Sequence, residues 1–186
     1  FVRAAAEIAR EVGALLWVDE VQTGVGRTGT FFAYEQLGLA PDLVTLAKGL
    51  GNGLPVGALL VRDGVAEAVG PGDHGATFGG NPVACAAACA VVESIDDALL
   101  ADVLDRGEQL VDGLSSLPGV EHVRGRGLMV AAVLDRDVAP VVDACREEGL
   151  LVLTAGAPPV LRLLPPLVVS EAEVEQALAI LADVLR

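Results

Sequence analysis

Chemistry in this 186-residue sequence centres on one lysine and one aspartate. Among twelve basic residues Lys48 is the single lysine; all the others are arginine. It follows the apolar run Leu43–Leu46 and precedes Gly49, Gly51 and Gly53. That order places an amine at the carboxyl edge of a sheet, where α/β proteins gather ligands. A desolvated amine there is a nucleophile towards carbonyls; the plainer alternative is a survivor of an arginine-for-lysine bias. Asp19 ends the neighbouring apolar run from Ala14 to Val18. An acid at the end of a buried strand needs a cation or several donors, and capping the following loop would serve equally. Together the two groups fit one chemistry: an aldehyde cofactor bonded to Lys48, its pyridinium nitrogen paired with Asp19. That pairing keeps the ring protonated and able to take up electrons. Gln22, just beyond, either hydrogen-bonds a polar ring substituent or is an ordinary loop amide.

Other features admit two readings each. Thr77, bracketed by glycines in Gly75-Ala76-Thr77-Phe78-Gly79-Gly80-Asn81-Pro82, sits before a helix start. It can offer a phosphate its hydroxyl and nearby N–H groups, or belong to a helix-entry loop. Arg162, within Val160-Leu161-Arg162-Leu163-Leu164, either snorkels at a sheet edge or forks onto a carboxylate. Gly24-Val25-Gly26-Arg27-Thr28-Gly29 matches the dinucleotide pattern G-x-G-x-x-G, but the context fails. Glu20 to Thr23 separate it from the strand, and Asp42 precedes the next strand instead of ending it. These glycines are expected only to allow a tight loop. His74 and His122 have no metal-like spacing, and no metal site is expected.

The elements that must position these groups alternate. A helix over 2–13 is stopped by Gly13, and a strand buried on both faces spans 14–19. A short helix near 32–37 and strands over 43–46 and 59–61 follow, an alternation that argues for parallel pairing. Asn81-Pro82 opens an Ala-rich helix to Ser94. Beyond Asp96 come a long amphipathic helix to Leu117, a strand over 120–124, a Gly125-Arg126-Gly127 turn and a strand over 128–134. A helix over 139–148, strands over 150–153 and 160–164 and a helix over 170–185 complete the order. Ser170 and Glu173 form its capping box. The change of texture near 93–97 marks a domain boundary, giving domains 1–95 and 96–186.

Composition narrows the class. Hydrophobic residues make up 53%, which excludes disorder, and no apolar run is long enough to span a membrane. Twelve basic against 26 acidic residues leave −14, which would repel a nucleic-acid backbone. Cys85, Cys89 and Cys145 form no C-x-x-C and read as small buried hydrophobes in a reducing, cytoplasmic setting. The chain opens at Phe1 inside a helical pattern, so the tail of a longer polypeptide is expected.

Three stretches carry a resemblance: LLWVDEVQTGVGRTGTFFAYE from Leu15, PDLVTLAKGLGNGLPVGA from Pro41 and GDHGATFGGNPVACAAA from Gly72. They resemble the class III pyridoxal-phosphate (PLP) aminotransferases, and RGRGLM from Arg124 and VLRLLPPL from Val160 are similar to that family's small domain. The resemblance spans essentially the whole chain and implies the C-terminal half of a fold-type-I α/β enzyme. Residues 1–95 would be the rear of the mainly parallel PLP-binding domain, and 96–186 the α+β small domain. It implies Lys48 as the residue bonded to PLP and Asp19 as the partner of the ring nitrogen. Glu20 and Val21 would line the cofactor, Gln22 would lie near its phenolic oxygen and Thr77 would contact the phosphate from the neighbouring subunit of a homodimer. Arg162 would hold the substrate α-carboxylate. Ala76 stands where the family often has a substrate-contacting serine. The implied reaction passes an amino group from N-acetylornithine to 2-oxoglutarate, in arginine biosynthesis. Ornithine, succinylornithine or 4-aminobutyrate as donor, and a catalytically silent fragment, are the alternatives.

Overall fold

The computed structural model describes residues 1–156 and 159–186. They form two compact units: residues 1–26 with 30–96, and residues 27–29 with 97–186.

The first unit opens with helix α1 (Val2–Glu11), ended at Gly13 with φ +73°. Its sheet has three strands in chain order: β1 (Trp17–Asp19), β2 (Leu43–Leu46) and β3 (Ala58–Val61). β1 and β2 are parallel, Asp19 lying opposite Thr45. β3 runs antiparallel to β2, where the alternation of elements argued for parallel pairing within a mainly parallel sheet. Residues 47–57 hold only a 3-10 turn, Lys48–Gly51, so the chain doubles back where a crossover helix would be needed. β1 is also not buried on both faces as expected. Among the described residues only β2 pairs with it, and Trp17 is 61% exposed.

Side chains alternate across this sheet. Trp17, Asp19, Leu43, Thr45, Leu59 and Val61 share one face by register. On the other, Val44 and Leu46 are buried, and Leu46 joins Val25 and Leu50 in a small core covered by Phe31, Val56, Ala88 and Val91. A short helix α2 (Asp63–Ala66), not anticipated, follows β3. Helix α3 (Pro82–Ser94) starts where Asn81-Pro82 predicts: Asn81 Oδ1 accepts from the N–H groups of Val83 and Ala84, and Pro82 occupies the first turn. Cys89 on α3 is exposed and Cys85 half-buried; only Cys145 is buried as expected. Of α3's residues only Ala84 is buried.

The second unit is an antiparallel sheet in the order β4-β5-β7-β6 under three helices. Its elements are α4 (Asp97–Ser115), β4 (Val120–Arg126), β5 (Met129–Leu134), α5 (Val138–Glu147), β6 (Leu153–Thr154), β7 (Val160–Leu163) and α6 (Glu171–Val184). β4 continues through Gly125 and Arg126, so the turn is narrower than the sequence suggests. β5 alternates, turning Val130, Ala132 and Leu134 inward. They join Val103, Leu110 and Leu114 of α4, Leu161 of β7 and Leu181 of α6 in one continuous core. Burial raises the pKa of the Cys145 thiol within it. The capping box on α6 forms as expected: Ser170 Oγ accepts from the Glu173 N–H, and the Glu173 carboxylate accepts from the Ser170 N–H. The Ser170 N–H, and its hydroxyl, donating to that carboxylate hold the Glu173 carboxyl below its ordinary pKa.

Residues 27–29 contribute a feature that the loop reading missed. Arg27 Nη1 donates to the carbonyls of Leu128 (3.1 Å) and Pro165 (2.6 Å), and the Leu128 N–H returns a bond to the Arg27 carbonyl. Burial lowers the pKa of this guanidinium. Close approach explains the glycines: a Cβ on Gly29 would lie 2.3 Å from the Leu104 side chain. A Cβ on Gly127 would lie 2.8 Å from the Arg27 carbonyl oxygen. Gly29 thus admits the Leu104 side chain and Gly127 the backbone of Arg27 and Thr28.

Candidate active site

Because β1 and β2 are parallel neighbours, their carboxyl ends open on one edge. Asp19 is the last residue of β1 and is exposed there. Its Oδ1 accepts from the Val21 N–H (2.9 Å) and from the Thr45 hydroxyl (3.3 Å). Both bonds fall on one oxygen; among the described residues Oδ2 has no partner. The carboxylate is thus held at one corner and open at the other.

Lys48 leaves the same edge, three residues beyond Thr45 on β2. Its backbone is left-handed, φ +48°, a conformation that costs a non-glycine residue about 1 kcal/mol or more. Such residues persist only where their surroundings fix them. Here the Leu50 N–H bonds the Ala47 carbonyl and the Asn52 N–H bonds the Gly49 carbonyl. Helix α3 packs against the turn. Val25, itself left-handed at φ +58° and buried, stands 3.8 Å from a Cβ built on Gly49. The Lys48 amine is exposed and, among the described residues, has no hydrogen-bond or ion-pair partner.

The loop between these groups rests on Glu20, which is 1% exposed. Its Oε1 accepts from the Tyr34 N–H at 2.9 Å and its Oε2 from the Thr23 hydroxyl. Its N–H donates to the Thr45 carbonyl, so Glu20 fastens the segment carrying Val21 and Gln22, both half-buried. Desolvation, with the charges of Glu35 and Glu20, raises the pKa of Tyr34.

Thr77 is exposed in the loop leading into α3, and Ala76 before it accepts the Gly79 N–H through its carbonyl. Thr77 and Lys48 therefore belong to one unit, the threonine preceding the helix that packs on the lysine turn. Arg162 belongs to the second unit, on β7 opposite Ala131 and Leu153. Its Nε is buried without a hydrogen-bond partner, which is costly for a guanidinium N–H unless an anion meets it.

Two residues were missed by sequence reasoning. Thr45 was read only as a strand position, yet its hydroxyl bonds Asp19. Asp42, just before β2, is buried, accepting from the Leu16 N–H (2.8 Å) and pairing with Arg62 (2.6 Å), so it ties the starts of β1 and β2 to the end of β3. An alternating strand pattern with Asp42 before it and Thr45 within it was the only available signal. Among the described residues no group of three or more His, Cys, Asp or Glu could hold a metal, and no helix is long and apolar enough to cross a membrane.

The arrangement is an open amine and a half-engaged carboxylate on one sheet edge. A cofactor with an aldehyde and a basic ring nitrogen fits that donor set: the amine can bond the first, and the free carboxylate oxygen can pair with the second.

The sequence model described as aminotransferase class-III matches residues 1–185. An acetylornithine aminotransferase of Haemophilus ducreyi is 51% identical over 173 residues, covering 92% of this chain and 44% of the relative. Among solved structures, an N-acetylornithine aminotransferase from Stenotrophomonas maltophilia superposes with a TM-score of 0.87 at 38% identity, covering 100% of this chain and 50% of the other. An ornithine aminotransferase from Toxoplasma gondii, with PLP at partial occupancy in its active site, gives 0.90 at 34%, covering 99% and 45%. The chain thus spans about half the length of the proteins it matches.

Proposed function

The chain belongs to the class III aminotransferase family, and on that premise we propose that it carries the lysine-bearing half of a PLP-dependent enzyme that transfers the terminal amino group of N-acetylornithine to 2-oxoglutarate. The observation that carries this reading is that an unpartnered Lys48 and a half-engaged Asp19 carboxylate both follow the carboxyl ends of paired parallel strands. PLP, when bound, supplies an aldehyde to bond an amine and a protonated ring that takes up the electrons left when a C–H bond ionises.

The chain's own residues would divide the remaining work. Lys48 Nζ would hold the aldehyde group and, once freed by the donor's amine, would move the proton of the donor's amine-bearing carbon. Asp19 Oδ2 would pair with the ring nitrogen and keep it protonated. Val21 would line the ring face and Gln22 would lie near the phenolic oxygen, on a loop that Glu20 supports. Thr77 offers its hydroxyl to the phosphate of a neighbouring subunit, so the active enzyme is a homodimer. Arg162 holds the donor's α-carboxylate, for which its unpartnered Nε is suited. Ala76 contributes only backbone to the donor pocket. Residues 1–95 then form part of the PLP-binding domain and 96–186 the small domain. The donor chemistry places the enzyme in arginine biosynthesis, and three free thiols suit a cytoplasmic setting.

Acetylornithine as donor is supported by relatives of that name at about half identity. The ornithine aminotransferases among the solved structures favour ornithine as the alternative. The test is the full-length polypeptide loaded with PLP. Its visible absorption band should vanish in Lys48→Ala while folding persists; a persistent band with turnover would remove Lys48 from the reaction. Half-reaction rates should be higher with N-acetylornithine than with ornithine, and equal rates would remove that preference.

A further inference from the structure

Asp19 is useful only if its free oxygen points at the ring nitrogen, and an exposed aspartate turns easily about its two side-chain bonds. Two donors restrain it, and one comes from a side chain. Thr45 is directly opposite Asp19 in the β1–β2 register, on the same face of the sheet. Its hydroxyl oxygen also lies 3.4 Å from Trp17 Nε1. An indole N–H can only donate, and a carboxylate offers only lone pairs. The direction of the relay is therefore settled: Trp17 donates to Thr45 Oγ1, and Thr45 turns its one hydrogen to Asp19 Oδ1, 3.3 Å away.

We infer that Thr45 is a positioning residue: with Trp17 behind it, its hydroxyl fixes Asp19 by Oδ1 and so leaves Oδ2 for the cofactor's ring nitrogen. This rests on the proposed PLP reading for its purpose, but the relay itself is independent of any cofactor. The Val21 N–H holds Oδ1 from the loop side, and Thr45 adds the restraint from the neighbouring strand. The oxygen not bound by either is the one left for the ring. Thr45 touches neither substrate nor cofactor in this role. It acts through Asp19.

Two variants test it. Thr45→Val keeps shape and favours strand but removes the hydroxyl; Thr45→Ser restores it. Trp17 is the single tryptophan of this chain, so its indole N–H resonance, located by comparison with Trp17→Phe, reads the relay without PLP. Thr45→Val should displace that resonance and Thr45→Ser should return it. In the PLP-loaded full-length polypeptide, Thr45→Val should weaken PLP binding about three- to tenfold, the weight of one hydrogen bond, with Thr45→Ser close to wild type. An unmoved resonance in Thr45→Val, or equal defects in both variants, overturns the inference. If Asp19→Ala weakens PLP binding while Thr45→Val does not, Thr45 has no part in positioning and the inference is again overturned. If Asp19→Ala leaves binding unchanged while the resonance behaves as expected, the relay stands and the assignment of Asp19 to the ring nitrogen fails.

Discussion

Leucines have different work in the two units. Leu114, Leu128, Leu161 and Leu181 of the second are wholly buried in one core that joins its sheet to three helices. In the first, Leu59 and Leu60 on β3 are about half exposed, as is Trp17 on β1, and the buried cluster reduces to Val25, Leu46 and Leu50. The candidate chemistry lies almost wholly in the less buried unit. Its fixed points are polar and local: Glu20 beneath the loop, Asp42 at the strand starts, Thr45 beside Asp19. The lesson is that hydrogen bonds at strand ends set the geometry of the candidate site, while the open first sheet belongs to a chain spanning about half the length of the proteins it matches.

The sharpest way to break that contrast is through chemistry. Asp19→Ala in the PLP-loaded full-length enzyme should lower kcat about a hundredfold or more, the scale of losing one preorganised electrostatic partner. Stopped-flow half-reactions check it. Next comes core truncation. Leu114→Ala should cost about 2–5 kcal/mol in denaturant unfolding, whereas Leu60→Ala on the open sheet should cost less than about 0.5 kcal/mol. Equal costs would erase the distinction between the units. Gly107→Ala should destabilise by about 1–3 kcal/mol, since its Cβ would lie 2.3 Å from the Gly127 carbonyl oxygen.

Smaller effects sharpen the picture at α6. Ser170→Ala removes an N-cap acceptor and should cost about 1 kcal/mol. The Glu173 carboxyl titrates below its ordinary value in the folded chain because Ser170 hydrogen-bonds its charged form. Its contribution is therefore complete above the ordinary carboxylate pKa and is lost as pH falls through the lowered one. Unfolding free energy measured from pH 6 down to pH 3 should fall less steeply in Glu173→Gln than in the parent.

Much of the fold was legible because its signals are local. Asn81-Pro82 and Ser170-x-x-Glu173 announce two helix starts through their own side chains. The apolar run at 43–46 marks β2 residue for residue. What eluded the sequence is non-local. Whether β3 runs with or against β2 depends on whether the chain between them crosses over or turns back, and residues 47–57 turn back. Nothing in the glycine motif marks Arg27, yet its bonds reach residues 101 and 138 positions away. Cys89 shared the alanine-rich setting of a buried thiol, and only the packing around α3 left it exposed.

The sequence by itself determined which groups could react: a sole lysine after an apolar run and an aspartate closing another, within motifs that identify the family. Residue type and spacing suffice for that because covalent chemistry belongs to the side chain. The tertiary structure decided which oxygen of Asp19 is held and which is open, and it did so through strand register. Pairing Trp17–Asp19 with Leu43–Thr45 sets an indole, a hydroxyl and a carboxylate on one face. A shift of one residue would turn Thr45 to the opposite face, and nothing in the local order of residues fixes that pairing.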